Sequence, residues 1–417
     1  MSAVAKRRIL FFSHYFPPEG NAPASRTHET LRRWVREGRD ATVVTCAPNV
    51  PRGVVYDGYR NRLWQHETLD GIRTVRVWTY LAPNQGFLRR TLNYVSYLLA
   101  SVPASLVEPR PDVVLATSPQ FFCGWAGLVA AKIRRVPFVL EIRDLWPDSI
   151  LAVDAIRSRR VVDALYALER WLYLGADHIV TVGEGYREEL VRKGVPDEKI
   201  TVVSNGVDPN RFSPRPRDAE LVRKHGLDGR FVVSFIGTIG MASGLRVVLE
   251  AADKLRAGGN DDVTFLLIGD GAMREELEAE ARERGLDRVV FAGRQDKSEI
   301  PRYLSVTDAC LVHLRKVDLF RTVMPSKIFE AAAMARPVVI GVPGRATELV
   351  ERARAGIAIE PEDPDALLAA IRRLQSDPEA AERMGRQGRE YVLRHYDRDR
   401  LALAYLEVVD RVRGTDP

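Results

Sequence analysis

Apolar residues in this chain fall into two rhythms. Continuous apolar runs within Arg8–Phe16, Ala41–Cys46, Pro111–Ser118, Phe138–Ile142, His178–Val182 and Ile200–Val203 predict strands buried on both faces, the mark of a parallel sheet. Between them, 25–37, 121–134, 161–174 and 185–192 carry apolar residues three and four apart and read as helices. A second series repeats the alternation, with strands at Phe231–Ile236, Thr264–Ile268 and Val338–Ile340 and helices at 245–255 and 274–284. Alternation of this kind predicts an α/β fold built on parallel sheets. Between the two series stands Ser204-Asn205-Gly206-Val207-Asp208, followed by the proline-rich SPRPR, a turn and a connector. The chain therefore divides into residues 1–205 and 206–397, with a polar helical tail from about Pro378. A length of 417 residues is too great for one core and sufficient for two.

One short segment concentrates the chemistry. Val323–Pro337, VMPSKIFEAAAMARP, predicts a helix that opens at Pro325-Ser326 and stops at Arg336-Pro337. Lys327 in the first turn opposes the helix dipole unless an anion such as a phosphate lies in front of it. Glu330 shares a side with Ser326 and Lys327. Its carboxylate can accept two hydrogen bonds, which suits the vicinal hydroxyls of a ribose. Together they describe a nucleotide pocket. The same spacing also describes an ordinary solvated Lys–Glu pair worth about 0.2–0.5 kcal/mol.

Other candidates sit where strands end. Phe231–Ile236 runs into Gly237, Gly240, Ser243 and Gly244 before a helix, and glycines there leave backbone N–H groups free for an anion. The spacing is neither a Walker loop nor a dinucleotide fingerprint. Gly269-Asp270-Gly271 reads as a turn. In the first half, Gly20 follows Pro17-Pro18-Glu19, where it either lets a ligand approach the backbone or simply turns the chain. Strand Phe138–Ile142 delivers Arg143-Asp144-Leu145-Trp146-Pro147 at its carboxyl end, the side on which open parallel sheets bind ligands. Arg143, Asp144 and Trp146 could hold a sugar there, or Asp144 could only cap the next turn.

These segments together resemble family 4 glycosyltransferases, retaining enzymes of the GT-B fold: α/β, two facing Rossmann-like domains with parallel sheets and an interdomain cleft. PSKIFE followed by small residues and PVV is similar to that family's donor motif. RDLWP, NGVDPNRF and HYFPPEGNAPASR are similar to further segments, the closest subgroup being the makers of bacterial surface polysaccharide, including N-acetyl-fucosaminyl transferases of O-antigen and capsule synthesis. The resemblance implies that Glu330 holds the donor ribose and that the Gly237–Gly244 turn seats the diphosphate. It also implies that the backbone around Gly293-Arg294 reads the base, that the Gly20 loop closes over the donor, and that a last helix, about 398–417, folds back on the first domain. Three positions depart from the family pattern: Thr322 where a second glutamate is usual, Ala335 where a glycine is usual, and Ser243 where relatives often carry a lysine. Phosphate charge must then be met by other cations, with Lys316, Arg321 and Lys327 as candidates.

Composition narrows the setting. The three cysteines, Cys46, Cys123 and Cys310, are odd in number and far apart, which argues against a disulfide framework and for a reducing compartment. The basic then apolar start, MSAVAKRRILFF, lacks the core and cleavage site of a signal peptide, so a cytoplasmic location is expected. Residues 1–208 hold 28 Lys and Arg against 22 Asp and Glu, while the remainder holds 34 against 34, so the whole excess of +6 lies in the first half. That half could face an anionic membrane surface or lipid phosphate, although arginine-rich composition alone would also account for it. Thr91–Val107 carries no charge and follows Arg89-Arg90. It reads as a buried helix, or as one whose apolar face touches the bilayer peripherally, rather than as a span. No nucleic-acid module is apparent.

The DxD triplet Asp397-Arg398-Asp399 lies in the polar tail and reads as a helix cap, and the histidines show no zinc spacing. No catalytic metal is expected, and no cofactor beyond a nucleotide-diphosphate sugar as co-substrate. The expected function is therefore retaining, metal-independent transfer of a sugar from such a donor, UDP-linked by resemblance, to a lipid-linked or glycan acceptor, with Asp144, Arg143 and His14 on the catalytic side. Two other classes stay open: a nucleotide-sugar 2-epimerase using His14 and Asp144, and a non-catalytic subunit that binds a nucleotide sugar.

Overall fold

The computed structural model describes residues 7–50, 52–82, 87–118, 120–148 and 159–412, so the first six residues and the end of the tail, 413–417, lie outside the described residues. The chain forms two compact units, Met1–Ser204 with Asp399–Pro417, and Asn205–Arg398. The first unit carries β1 (Arg8–Phe12), β2 (Asp40–Cys46), β3 (Trp64–Leu69), β4 (Ile72–Val77), β5 (Val113–Thr117), β6 (Phe138–Ile142), β7 (His178–Thr181) and β8 (Ile200–Val202). They form one sheet in the order β3-β4-β2-β1-β5-β6-β7-β8, parallel except for the edge hairpin β3–β4.

Side chains of successive strand residues leave opposite faces of a sheet, and here both faces are covered. Leu10, Phe12, Val114, Ala116 and Leu140 enter one core with the helix Phe121–Arg134. Ile9, Phe11, Val113, Leu115 and Val139 enter the other with Leu31 and Trp34 of the helix Ala22–Arg36. The C-terminal helix Arg398–Arg411 closes that second face with Tyr405, Leu406, Val408 and Val409, and Trp34 Nε1 donates to Ala402 O at 2.7 Å. The helix Ala22–Arg36 starts earlier than periodicity predicts, because Asn21 caps it by accepting from Ala24 N and Pro23 is tolerated in its first turn.

The second unit carries β9 (Phe231–Ile236), β10 (Val263–Ile268), β11 (Val289–Gly293), β12 (Ala309–His313), β13 (Val338–Gly341) and β14 (Gly356–Ala358). They form an all-parallel sheet in the order β11-β10-β9-β12-β13-β14, again with apolar clusters on both faces. In each unit the connection after a central strand, β1 or β9, leads straight into a helix at the carboxyl edge of the sheet, where a topological switch places ligands. Among the described residues no helix is long and apolar enough to cross a membrane, Phe87–Val107 included.

Candidate active site

In the second unit the donor-side candidates line up along the carboxyl edge of the sheet. β9 leads to Gly237, Gly240, Ser243 and Gly244, and β11 ends at Gly293 beside Arg294. β12 leads to Lys316, and the connection from β12 to β13 carries Arg321, Ser326, Lys327 and Glu330. The glycine turn is packed backbone on backbone. A Cβ at Gly269 would lie 1.8 Å from Gly237 O, and one at Gly271 2.5 Å from Ile239 O. The Gly-Asp-Gly segment is thus a turn whose glycines seat the neighbouring turn. Gly293 joins the same layer, its carbonyl accepting from Gly269 N at 3.0 Å. Ser243 turns inward, its hydroxyl donating to Thr238 O at 2.7 Å, so this side chain shapes the turn. Gly244 adopts the left-handed conformation at φ 59° and leads into the helix Arg246–Ala257.

Lys327 is not a solvated surface cation. Its Nζ lies 3.7 Å from the centroid of the Phe235 ring, a cation–π contact. A Cβ at Gly237 would sit 3.0 Å from that nitrogen, so the glycine leaves the room the ammonium uses. Burial pulls the Lys327 pKa down to about 7, against the opposing pull of the Glu330 charge. A cavity of about 10 Å³, room for one water molecule, lies between Lys327, Glu330, Ser234 and Cys310.

The helix bearing these residues is shorter than the sequence suggests, Lys327–Ala333. It ends in a Schellman-type cap, with Ala335 N donating to Ala332 O, Arg336 N to Ala331 O, and Ala335 itself left-handed at φ 55°. Ser326 makes no capping hydrogen bond with its side chain. Two expected phosphate cations stand differently from Lys327. Lys316 is exposed and pairs with Glu360 at 2.5 Å, a hydrogen bond that raises its pKa, so it is committed to a surface ion pair. Arg321 is exposed, and its carbonyl lies where a Cβ on Gly344 would come within 2.4 Å.

In the first unit Gly20 is exposed, and a Cβ there would meet nothing within 4 Å. Arg143 and Asp144 follow β6 and are positioned by Ser118, whose Oγ accepts from both backbone N–H groups at 2.7 and 3.2 Å. His14 is enclosed within the first unit. It is 3% exposed, and Tyr15, Tyr94 and Tyr97 pack edge-on against its ring. Burial lowers its pKa to about 4, with Asn93 acting weakly the other way.

Sequence reasoning missed four residues that hold these turns. Glu19, buried, accepts from Asn49 N and Val50 N at 2.9 and 3.1 Å. Arg76, also buried, donates to Pro17 O and Cys46 O and pairs with Glu67. Ser118 and His313 are the others. His313 Nδ1 lies 2.8 Å from Ser243 O, and its Nε2 accepts from Glu362 N at 2.9 Å. Their partners are distant in sequence, and no local pattern announces them.

Two family profiles match consecutive parts of the chain: Glycosyl transferase 4-like domain over residues 21–206, and Glycosyl transferases group 1 over residues 218–391. The chain belongs to the group 1 glycosyltransferases. This transferase is 27% identical to the putative colanic acid biosynthesis glycosyl transferase WcaI of Escherichia coli K12, over 98% of this chain and 100% of that protein. Among solved structures it is similar to sucrose-phosphate synthase from Thermosynechococcus elongatus, with a TM-score of 0.76 and 18% identity over 97% of this chain and 99% of that one. HepE of Anabaena, in complex with UDP and glucose, gives a TM-score of 0.72 and 19% identity over 97% of this chain and 99% of that one. These likenesses show the GT-B fold.

Proposed function

We propose that this transferase moves a sugar, with retention of configuration, from a UDP-linked donor to a lipid-linked or glycan acceptor in cell-surface polysaccharide synthesis, of the O-antigen or capsule kind. The observation that carries the donor half is Lys327. A lysine held over an aromatic ring, against a glycine turn and near one carboxylate, is stabilised in its charged form when an anion arrives. In this reading Lys327 and the Gly237–Gly244 backbone hold the diphosphate, Glu330 holds the ribose, and Arg143 with Asp144 line the acceptor side. Lys327 and the oriented N–H groups meet the charge that develops on the leaving diphosphate. That phosphate then takes the acceptor proton. The relative named for colanic acid biosynthesis and the fold neighbour complexed with UDP and glucose support the donor and pathway class. Leu92, Leu99 and Val107 are exposed on the helix Phe87–Val107, whose only cations, Arg89 and Arg90, stand near its start. That face supports peripheral contact with the cytoplasmic leaflet, where a lipid-linked acceptor would lie.

The test is calorimetry of UDP, GDP, ADP and several UDP-sugars against wild type, Glu330→Ala and Lys327→Ala. One nucleotide should bind the wild type and lose roughly tenfold or more in either variant. Binding by none, or equal binding by all three proteins, would overturn the donor site. The pH dependence adds a signature. The free Lys327 has a pKa near 7 and a bound diphosphate raises it, so binding takes up a proton above pH 7. For a UDP-sugar, whose doubly esterified diphosphate does not titrate in this range, affinity should be flat below that pH and fall by up to about tenfold per pH unit above it, a fall that Lys327→Ala abolishes.

A further inference from the structure

We infer that His313 is the positioning residue of the donor turn: its ring clamps the Ser243 carbonyl inward and thereby aims the Gly244 N–H at the diphosphate. The inference rests on the donor reading above and names what orients that site. His313 ends β12 and is fully enclosed. A carbonyl oxygen only accepts, so the bond to Ser243 O at 2.8 Å requires a proton on Nδ1. A backbone N–H only donates, so the 2.9 Å bond from Glu362 N requires a bare Nε2. The two partners thus select one neutral tautomer. Burial supports that state by holding the imidazole pKa below its usual value; Glu362 acts against the burial, while the positive charge of Lys327 acts with it.

The ring has no freedom to swing away. A Cβ at Gly341 would lie 2.6 Å from its Cδ2, and one at Gly244 3.1 Å from its Cε1. Arg315 N, two residues on, donates to Ala242 O at 2.9 Å, so two consecutive carbonyls of the turn are tied to the segment after β12. A trans peptide is planar, with its C=O and N–H pointing to opposite sides. Fixing the Ser243 carbonyl against His313 therefore turns the Gly244 N–H away from the protein interior. Ser243 N is already used by Gly240 O at 3.0 Å, which leaves Gly244 as the position where orientation matters for a ligand.

Two substitutions separate the halves of the clamp. Asparagine at 313 places an amide N–H near the position of Nδ1 and keeps the donation to Ser243. Glutamine reaches the position of Nε2 and keeps only the acceptance from Glu362. UDP binding by His313→Asn should stay within about threefold of wild type, while His313→Gln loses about tenfold, even where thermal melts show similar destabilisation of both. Equal affinities in the two variants, or a weaker Asn variant, would overturn the assignment. A wild type that binds no nucleotide would overturn the donor reading itself and the assignment with it. A measurement without variants checks the same point: long-range ¹H–¹⁵N NMR should report His313 protonated at Nδ1 and bare at Nε2, and the opposite tautomer would sink the proposal.

Discussion

The two strand-to-helix turns, after β1 in the first unit and after β9 in the second, occupy the same place in their sheets and are held by opposite means. Around Gly237–Gly244 the fit is steric: glycines at 269, 271 and 341 let backbones and the His313 ring come closer than any side chain would allow, and the brace is a neutral imidazole. Around 13–20 the fit is ionic. Arg76, 1% exposed, ties Pro17 O to Cys46 O, and Glu19, 3% exposed, ties the turn to Asn49 and Val50, while a Cβ at Gly20 would meet nothing within 4 Å. A steric fit is fixed at every pH and fails abruptly when a methyl is added. One made by charged side chains tolerates added bulk at its surface and fails when the hydrogen bonds of those side chains are lost. One turn is shaped by what is absent from its residues and the other by two side chains from elsewhere.

The sharpest way to break the comparison is Gly269→Ala. Its Cβ would fall 1.8 Å from Gly237 O at a backbone φ of 148°, so neither neighbour can yield cheaply. The expected loss exceeds about 4 kcal/mol in urea unfolding. A loss under 1 kcal/mol, by the same scale, would mean that the second turn is looser than its glycines imply. The counterpart in the first unit is Arg76→Met, which keeps the stem and removes the guanidinium. The carbonyls of Pro17 and Cys46 and the Glu67 carboxylate lose their partner together, which predicts a cost of about 3–5 kcal/mol. If Arg76→Met proves as stable as wild type, the ionic account of that turn is wrong.

What the sequence discloses follows the same division. Glycine spacing after β9, the PSKIFE segment and the continuous apolar runs of buried strands are local signals, and a turn, a helix and strands lie at those places. Glu19 and Arg76 act across 30 and 59 residues of chain, and Ser118 reaches Arg143 across 25, so no period or spacing points to them. His313 stands at the end of β12, and its two partners are backbone atoms that have no residue type to recognise. Ser243 and Lys316 show the converse. Sequence supplies a polar group in the right place, and the fold then pairs it elsewhere, Ser243 with Thr238 O inside the turn and Lys316 with Glu360 at the surface. His14 likewise follows a strand as a catalytic histidine would, yet its tyrosine surroundings are assembled from Tyr15, Tyr94 and Tyr97, which no local pattern joins to it.

A smaller effect sharpens the ionic side. Burial raises the Glu19 pKa, with the two backbone N–H groups and Arg76 only partly offsetting it. A carboxyl raised in the folded state binds its proton there more tightly than in the unfolded chain, so its contribution to stability is present at low pH and is lost as pH rises through the folded value. Glu19→Ala should cost about 2 kcal/mol at neutral pH, because two backbone donors lose their acceptor. Glu19→Gln keeps an oxygen for those donors without the charge. It should recover more than half of that loss and remove the decline of stability on leaving acid pH, as followed by thermal melts between pH 4 and 7. If the glutamine variant is as unstable as the alanine one, charge rather than hydrogen bonding holds the turn.

The smallest structural effect is the most informative about function. Gly20 is exposed, its φ lies outside the left-handed region, and a Cβ there meets open space. The protein itself has no need of a glycine at this position, so Gly20→Ala should change unfolding free energy by less than about 0.5 kcal/mol. A glycine that the fold does not require is one that a ligand can require, because only a bare Cα lets another molecule reach the backbone. Sugar transfer by Gly20→Ala should then fall by roughly tenfold or more with stability intact, a separation that Gly269→Ala cannot give. Unchanged transfer would leave Gly20 an ordinary turn residue, and the ionic brace of Glu19 and Arg76 would serve the fold of the first unit alone.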